Sequence, residues 1–299
     1  MSQTKPLTVL LGDYPHTRLL KDGTLSVEGV DCRFVDSSPL YPAFARMVRD
    51  LEFDVCELAL ATYLQAREAG VPITLLPVVL IGGTHHRSLT RLPDGPALAP
   101  GELAGRRIGV RSYSQTTGLW VRGILREEYG IEARDVTWVT TEEPHVRQYR
   151  EPSYVTRSPA GRVADLLRDG DVEAAVLGPR AVAGQGEGLV PIVPDAEAAG
   201  RAWTERHGFV PANHVVVVRD DVLRAAPDAV RALYHALAEA IGATAEDRDG
   251  SPASRAVAAG WSEEFGACLD LASRYALEQE LVRSPLDIDA IEKEAAFVR

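Results

Sequence analysis

The sequence predicts an α/β protein of two lobes with a ligand cleft between them, on three observations. Short apolar runs alternate with segments of helical spacing along most of the chain, the pattern of β-α repeats on mostly parallel sheets. That alternation breaks at Gly82-Gly83 and again after residue 187, as expected where a chain leaves one sheet and later rejoins it. Polar and charged residues also recur where the predicted strands end, and open α/β sheets bind ligands at those ends. The boundaries that follow are residues 1–84 and 190–299 for a discontinuous first lobe and 85–189 for the second.

The 299 residues are 45% hydrophobic and 25% charged, enough for one large domain or two medium lobes. An excess of Asp and Glu (43) over Lys and Arg (32) argues against a nucleic-acid partner, although a local Arg cluster can still hold an anion. Gly, Pro or His interrupts every long apolar run, so no segment reaches bilayer length and no membrane partner is expected. The opening Met1-Ser2-Gln3-Thr4-Lys5-Pro6 has no apolar signal core, and the expected location is the cytoplasm. Cys32, Cys56 and Cys268 are odd in number and lack C-x-x-C spacing, which argues against a disulfide framework or a thiolate metal site. Neither a metal nor a cofactor is expected. The oligomeric state stays open, a homo-oligomer included.

Taken in order, residues 7–11 read as the first strand, followed by the loop Gly12-Asp13-Tyr14-Pro15-His16-Thr17-Arg18. At a strand's carboxyl end, Arg18 is a candidate carboxylate clamp, with Asp13 and His16 as candidate polar contacts. Solvated loop residues with a helix cap at Asp13 or Thr17 fit equally. Residues 32–35 form a second strand, and Phe44, Met47, Val48 and Leu51 recur at helical spacing from about residue 41. Residues 53–58 form a third strand, with Glu57 near its end and a helix over 59–69 beyond it. A carboxylate there can face a cleft or pair with an Arg. Residues 74–81 are a fourth strand. His85 and His86 follow the double glycine; on a strand they would point to opposite faces and not easily share a metal. His86 is the candidate proton donor of the two.

Residues 93–105 are a Pro/Gly-rich connection. The cleft is then organised around residues 107–122. Ile108 and Val110 mark a buried strand, Ser112 to Thr117 a hydroxyl-rich turn, and a helix runs on to about Tyr129. The first amides of such a helix are unpaired at the positive end of its dipole, a site for a carboxylate. Ser112, Ser114 and Thr116 add donors without charge; simple capping of the helix by Ser114 or Thr116 is the plainer alternative. Trp120 shares a helical face with Thr116, as a ligand platform or as lobe packing. Residues 136–139 are a strand, and the long Arg-rich stretch 144–162 is a lid or a solvated charge run. A helix at 163–170 and a strand at 172–177 lead to Gly178-Pro179-Arg180, which makes Arg180 a further clamp. After strand-like residues 189–193 and a helix over 196–207, Asn213 and His214 stand at the entrance to four consecutive valines, a strand buried on both faces. The rest is helical, chiefly over 229–247 and 263–281.

Gly12–Arg18, Glu52–Leu58, His86–Ser88, Gly109–Leu125, Gly178–Arg180 and Phe209–His214, in this order, resemble the 4,5-dihydroxyphthalate decarboxylase family. The resemblance covers most of the chain up to about Arg219, and 113–125 is its most specific part. It implies a type II periplasmic-binding-protein-like fold in a soluble enzyme. Asp13, Arg18, Glu57, His86, Tyr113, Thr116, Trp120, Arg122, Arg180 and His214 fall in matching motifs. The chain departs from the family at Asn213, usually apolar or Met, and at His85, usually Arg. It also lacks the family's C-terminal Trp-Pro-Tyr-Gly segment, running Phe265-Gly266-Ala267-Cys268 instead. These departures bear on the substrate more than on the fold.

The expected function is cofactor-independent decarboxylation of a hydroxylated aromatic, phthalate-like acid, the partner being a small-molecule carboxylate. The carbon that loses its carboxylate must receive a proton, a task suited to His. His214 is the first candidate and His86 the second, with Glu57, a third catalytic candidate, or Asp13 orienting a hydroxyl of the substrate. Substrate contacts are expected from Asp13, Arg18, Ser112, Tyr113, Ser114, Thr116, Trp120, Arg180 and Asn213. The grip should fall on the carboxylate that stays, since holding the departing one stabilises the ground state. The alternatives are a non-catalytic small-organic-anion binding protein and a different carboxylate lyase or dehydratase on the same fold.

Overall fold

The computed structural model describes residues 5–178, 188–246 and 248–298. The strands are β1 (Leu7–Leu10), β2 (Cys32–Val35), β3 (Val55–Ala59), β4 (Ile73–Gly82), β5 (Leu89–Arg91), β6 (Arg107–Val110), β7 (Thr137–Thr140), β8 (Val155–Arg157), β9 (Ala174–Val176), β10 (Val190–Pro191), β11 (Ala212–Arg219) and β12 (Ala258–Ala259). Among the described residues they form two six-stranded sheets, ordered β12-β4-β11-β3-β1-β2 and β10-β5-β9-β6-β7-β8. The helices are α1 (Pro15–Lys21), α2 (Tyr41–Asp50), α3 (Leu60–Glu68), α4 (Thr116–Tyr129), α5 (Val163–Arg168), α6 (Ala196–His207), α7 (Asp220–Ala225), α8 (Pro227–Ala243), α9 (Pro252–Ala256), α10 (Glu263–Glu278) and α11 (Ile288–Ala295). The protein is thus a two-lobed α/β molecule.

The sheets are mixed rather than mostly parallel. β1, β2 and β3 pair in parallel, but β11 returns from the second sheet and enters antiparallel between β3 and β4. All four of its valines, Val215 to Val218, are fully buried, each worth about 1.5–3 kcal/mol of apolar burial. The first crossing between lobes meets the return crossing where the Gly83 amide donates to the Pro211 carbonyl (2.9 Å). Gly82 is needed for that approach: a Cβ there would lie 2.5 Å from the Pro211 oxygen. One apolar core runs through both lobes, with Phe44, Tyr63 and Leu58 on one side and Val110, Trp120 and Trp138 on the other.

Three local expectations change. His86–Ser88 is a one-turn 3-10 helix, so His85 and His86 do not alternate across a strand, and both are buried. The stretch 144–162 contributes β8 to the second sheet, because Trp138, Val139 and Thr140 take it as a parallel neighbour. The late helices stop early, at Ala243 and Glu278. No helix among the described residues is long and apolar enough to cross a membrane.

Candidate active site

Sheet register brings the first pair together. His214 stands opposite Ala59 and Val216 opposite Glu57. Glu57 and His214 are therefore diagonal cross-strand neighbours, within reach of long side chains. On its other edge β11 is irregular from Ala212 to Val216, and such bulges re-aim side chains. The result is a 2.5 Å contact between His214 Nδ1 and Glu57 Oε1. Glu57 has no exposed surface. Its Oε1 also accepts from the Tyr14 hydroxyl and its Oε2 from the Gly12 amide, both at 2.7 Å. Tyr14 reaches back because residue 12 has no side chain; a Cβ there would sit 2.5 Å from the Tyr14 ring and oxygen. With Nδ1 committed to Glu57, the nitrogen of His214 left for chemistry is Nε2, which has no partner among the described residues. An imidazole pinned in this way can hand over or receive a proton at one defined atom.

The second lobe supplies the opposite wall. α4 starts at Thr116 with no side-chain cap, so neither Ser114 nor Thr116 plays the capping role. Thr116 Oγ1 instead accepts from the Ala61 amide in the first turn of α3 (3.0 Å). Two helix N-termini, one from each lobe, therefore meet here, and both carry positive dipole ends. Ser112 and Ser114 are buried with their hydroxyls 3.1 Å apart. Arg111, just before them, pairs with Glu142 (2.8 Å) and lies 3.8 Å from the centre of the Tyr41 ring. His145, on the connection after β7, crosses to the first lobe, where its Nδ1 is 2.9 Å from Thr62 Oγ1 in α3. His145 and His214 both meet the Phe44 ring edge-on, at 5.9 and 5.2 Å between centroids. Burial, with Arg111, Arg49 and His214 nearby, pulls the His145 imidazole down from 6.5 to about 4.

Several predicted site residues lie elsewhere. His86 is turned away from the cleft, its Nε2 3.2 Å from Glu128 near the far end of α4, where burial lowers its pKa. Tyr113 contributes its backbone to the turn, but its ring is buried and its hydroxyl donates to the Gln279 carbonyl (2.9 Å). Trp120 is fully buried against Trp203 and Tyr275, its Nε1 donating to the Ala212 carbonyl (2.9 Å), so it packs the lobes together. Arg18 and Asp13 form a two-point ion pair at 2.8 Å on the surface, because Pro15 starts α1 and turns both outward. Asn213 is half-buried beside His214, and its side chain interacts with the buried His85. Arg180 lies outside the described residues. Tyr14, Phe44, Thr62, Arg111 and His145 complete the cluster and were not singled out from the sequence. Tyr14, Arg111 and His145 each follow a strand's carboxyl end, the signal that could have found them. Among the described residues no group of three or more His, Cys, Asp or Glu side chains is arranged to hold a metal ion.

No family model matches the sequence. The chain is 32% identical over 251 residues to a 4,5-dihydroxyphthalate decarboxylase of Comamonas testosteroni, spanning 79% of this chain and 76% of that protein. It is 33% identical over 186 residues to a 4,5-dihydroxyphthalate decarboxylase of Pseudomonas putida, spanning 58% and 70%. In fold it is similar to the periplasmic aliphatic sulphonate binding protein SsuA of Escherichia coli, with a TM-score of 0.64 at 14% identity over 96% of this chain and 97% of that one. It is also similar to the desulfurization enzyme DSZB, with a TM-score of 0.60 at 18% identity over 99% and 100%. These two likenesses concern the fold alone, a type II periplasmic-binding-protein-like scaffold. The match to the Comamonas enzyme extends over three quarters of both chains and goes further: this chain belongs to the 4,5-dihydroxyphthalate decarboxylase family.

Proposed function

We propose that this protein decarboxylates a dihydroxylated aromatic ortho-dicarboxylic acid of the 4,5-dihydroxyphthalate type in the hollow between its lobes. The observation that carries the reading is the buried Glu57 carboxylate holding His214 by Nδ1, with two further donors fixing the carboxylate itself. Ring decarboxylation requires a proton at the carbon that loses CO₂. In this reading His214 Nε2 delivers it, while Glu57 sets the tautomer and orientation of the ring. The turn at Ser112, Ser114 and Thr116, with the N-termini of α3 and α4 and with Arg111, holds the carboxylate that remains. The grip falls on the carboxylate that stays, since a tight hold on the departing group would slow its loss. Phe44 packs edge-on against the His214 ring and helps to hold it in place. No step of this scheme draws on a cofactor. The three cysteines, none in a disulfide, fit a reducing compartment and support a cytoplasmic enzyme.

The test is to mix purified protein with 4,5-dihydroxyphthalate and follow CO₂ release and 3,4-dihydroxybenzoate formation. Turnover is expected in the wild type. His214→Ala should abolish it while leaving substrate affinity within about tenfold, since the proton donor acts in the transition state. Tight binding by the wild type without CO₂ would overturn the enzymatic reading in favour of an anion-binding protein.

A further inference from the structure

We infer that His145 is a second catalytic residue, the base that takes the proton of the substrate's para hydroxyl while His214 protonates the ring carbon. The inference rests on the decarboxylase reading above and assigns to its site a role that the Glu57–His214 pair leaves unfilled. In 4,5-dihydroxyphthalate each carboxylate-bearing carbon has a hydroxyl directly across the ring. Protonating that carbon removes the ring's aromaticity. The resulting cation is relieved when the para O–H is lost and a neutral dienone forms. A single imidazole cannot serve both ends of the ring at once.

The geometry provides the second one. His145 and His214 flank the same Phe44 ring, which puts their centroids no more than about 11 Å apart. A substrate ring measures about 4 Å from the ring carbon to the para oxygen; with the base about 3 Å beyond the oxygen in the ring plane and the acid about 3 Å above the carbon's face, the two nitrogens are roughly 8 Å apart, inside that limit. The two imidazoles are held differently. His214 is bonded through Nδ1 to the Glu57 carboxylate, which leaves Nε2 as the atom at which a proton is passed. Among the described residues the His145 ring has one hydrogen-bond partner, the Thr62 hydroxyl, while Arg49, Arg111 and His214 face it from α2, the turn after β6, and β11. Its depressed pKa agrees with that setting: a neutral ring with Nε2 able to accept. His145 is also fixed through its backbone. Arg49 Nε donates to the His145 carbonyl (2.6 Å) and Arg49 Nη2 to that of Pro144 (2.7 Å), fastening the loop to α2.

The step balances. The His214 Nε2 proton bonds to the ring carbon as His145 removes the para hydroxyl proton, giving a cyclohexadienone that still bears the carboxylate. The ring–carboxylate bond then breaks. Its electron pair restores the aromatic ring and leaves the negative charge on the para oxygen, and CO₂ departs. His145 returns its proton to that oxygen. One proton is consumed overall, supplied through His214 and replaced from solvent.

The test uses the full-length protein with His145→Gln and Thr62→Val, in parallel with His214→Gln. His145→Gln should lower kcat by about 10²- to 10⁴-fold, the usual worth of a general base, with substrate affinity within tenfold by calorimetry. Thr62→Val, which keeps the imidazole and frees it, should lower kcat by roughly tenfold. The discriminating readout is phenol acidity. A ring-fluorinated dihydroxyphthalate, whose phenol is more acidic, should recover part of the lost rate in His145→Gln and none in His214→Gln. A purely structural role would not respond to substrate acidity, so equal losses with both substrates overturn the inference, as does a His145→Gln kcat within threefold of wild type. If His145→Gln does not fold, the same acidity comparison on Thr62→Val decides. A wild type that releases no CO₂ sinks the decarboxylase reading instead, a result separable from either of these.

Discussion

Glu57→Gln is the perturbation that bears most directly on the proposed chemistry. The side chain is fully buried and accepts from Gly12 N, Tyr14 Oη and His214 Nδ1. The amide is nearly isosteric, so packing survives, but one oxygen becomes a donor. The Gly12 amide cannot switch roles, so the new carbonyl must face it and the NH₂ must face Tyr14 and His214. The tyrosine hydroxyl can rotate to accept. His214 can accept only by moving its proton from Nδ1 to Nε2, as a neutral ring. Three charge-assisted bonds thus become neutral ones, each weaker by about 1 kcal/mol, a stability loss of about 3 kcal/mol. Activity should suffer far more. A ring in the wrong tautomer is an effect on the order of 10⁴ in kcat where an imidazole's buried carboxylate partner has been neutralised elsewhere. Steady-state CO₂ release at neutral pH measures it, with thermal unfolding as the control. A variant that folds and keeps kcat within about threefold would refute the idea that Glu57 sets the working state of His214.

Three further outcomes follow from the packing and the buried imidazoles. Gly12→Ala should force the Tyr14 ring off Glu57, because the new Cβ would fall 2.5 Å from it. A loss of roughly ten- to a hundredfold in kcat, the scale of one charge-assisted hydrogen bond, is expected in steady-state assays. Trp120→Ala should cost about 3–5 kcal/mol, as large-to-small core changes do; scanning calorimetry should show Tm lower by roughly 10 °C. Acid should destabilise the fold in a defined window. Burial lowers His16 and His145 to about 4 and His85 to about 3, all from 6.5. Between about pH 6.5 and those values the unfolded chain takes up protons that the folded one refuses, so stability falls as pH falls. His85→Leu should flatten that slope in urea titrations across the window.

How much of this was legible in the sequence differs from residue to residue. The alternation of strands and helices, the valine strand and the helix at Thr116 follow from local spacing, and the elements lie close to where the spacing puts them. Glu57 and His214 were visible as strand-end residues. Their meeting was not, because it depends on β11 pairing with β3 across 157 positions and on an irregular edge with β4. Asp13 and Arg18 drew attention by their charge, yet Pro15 begins a helix that turns them to solvent, and the neutral Tyr14 between them faces inward. Trp120 and Tyr113 sit in a motif that resembles a ligand turn, but aromatic rings of that size were drawn into the core. His145 lay in a stretch without spacing of any kind. Its position depends on Arg49, 96 residues earlier.

The bond from Trp120 to the Ala212 carbonyl has a consequence for traffic through the molecule. It lies beside the two chain crossings, where Gly83 also grips Pro211. That flank is bolted shut by a buried indole, so any parting of the halves must swing from it like a door from its jamb. A second tie between the lobes is made by Arg49 of α2 to the loop after β7. Opening about the indole would have to break that tie, and with it move the loop that carries His145.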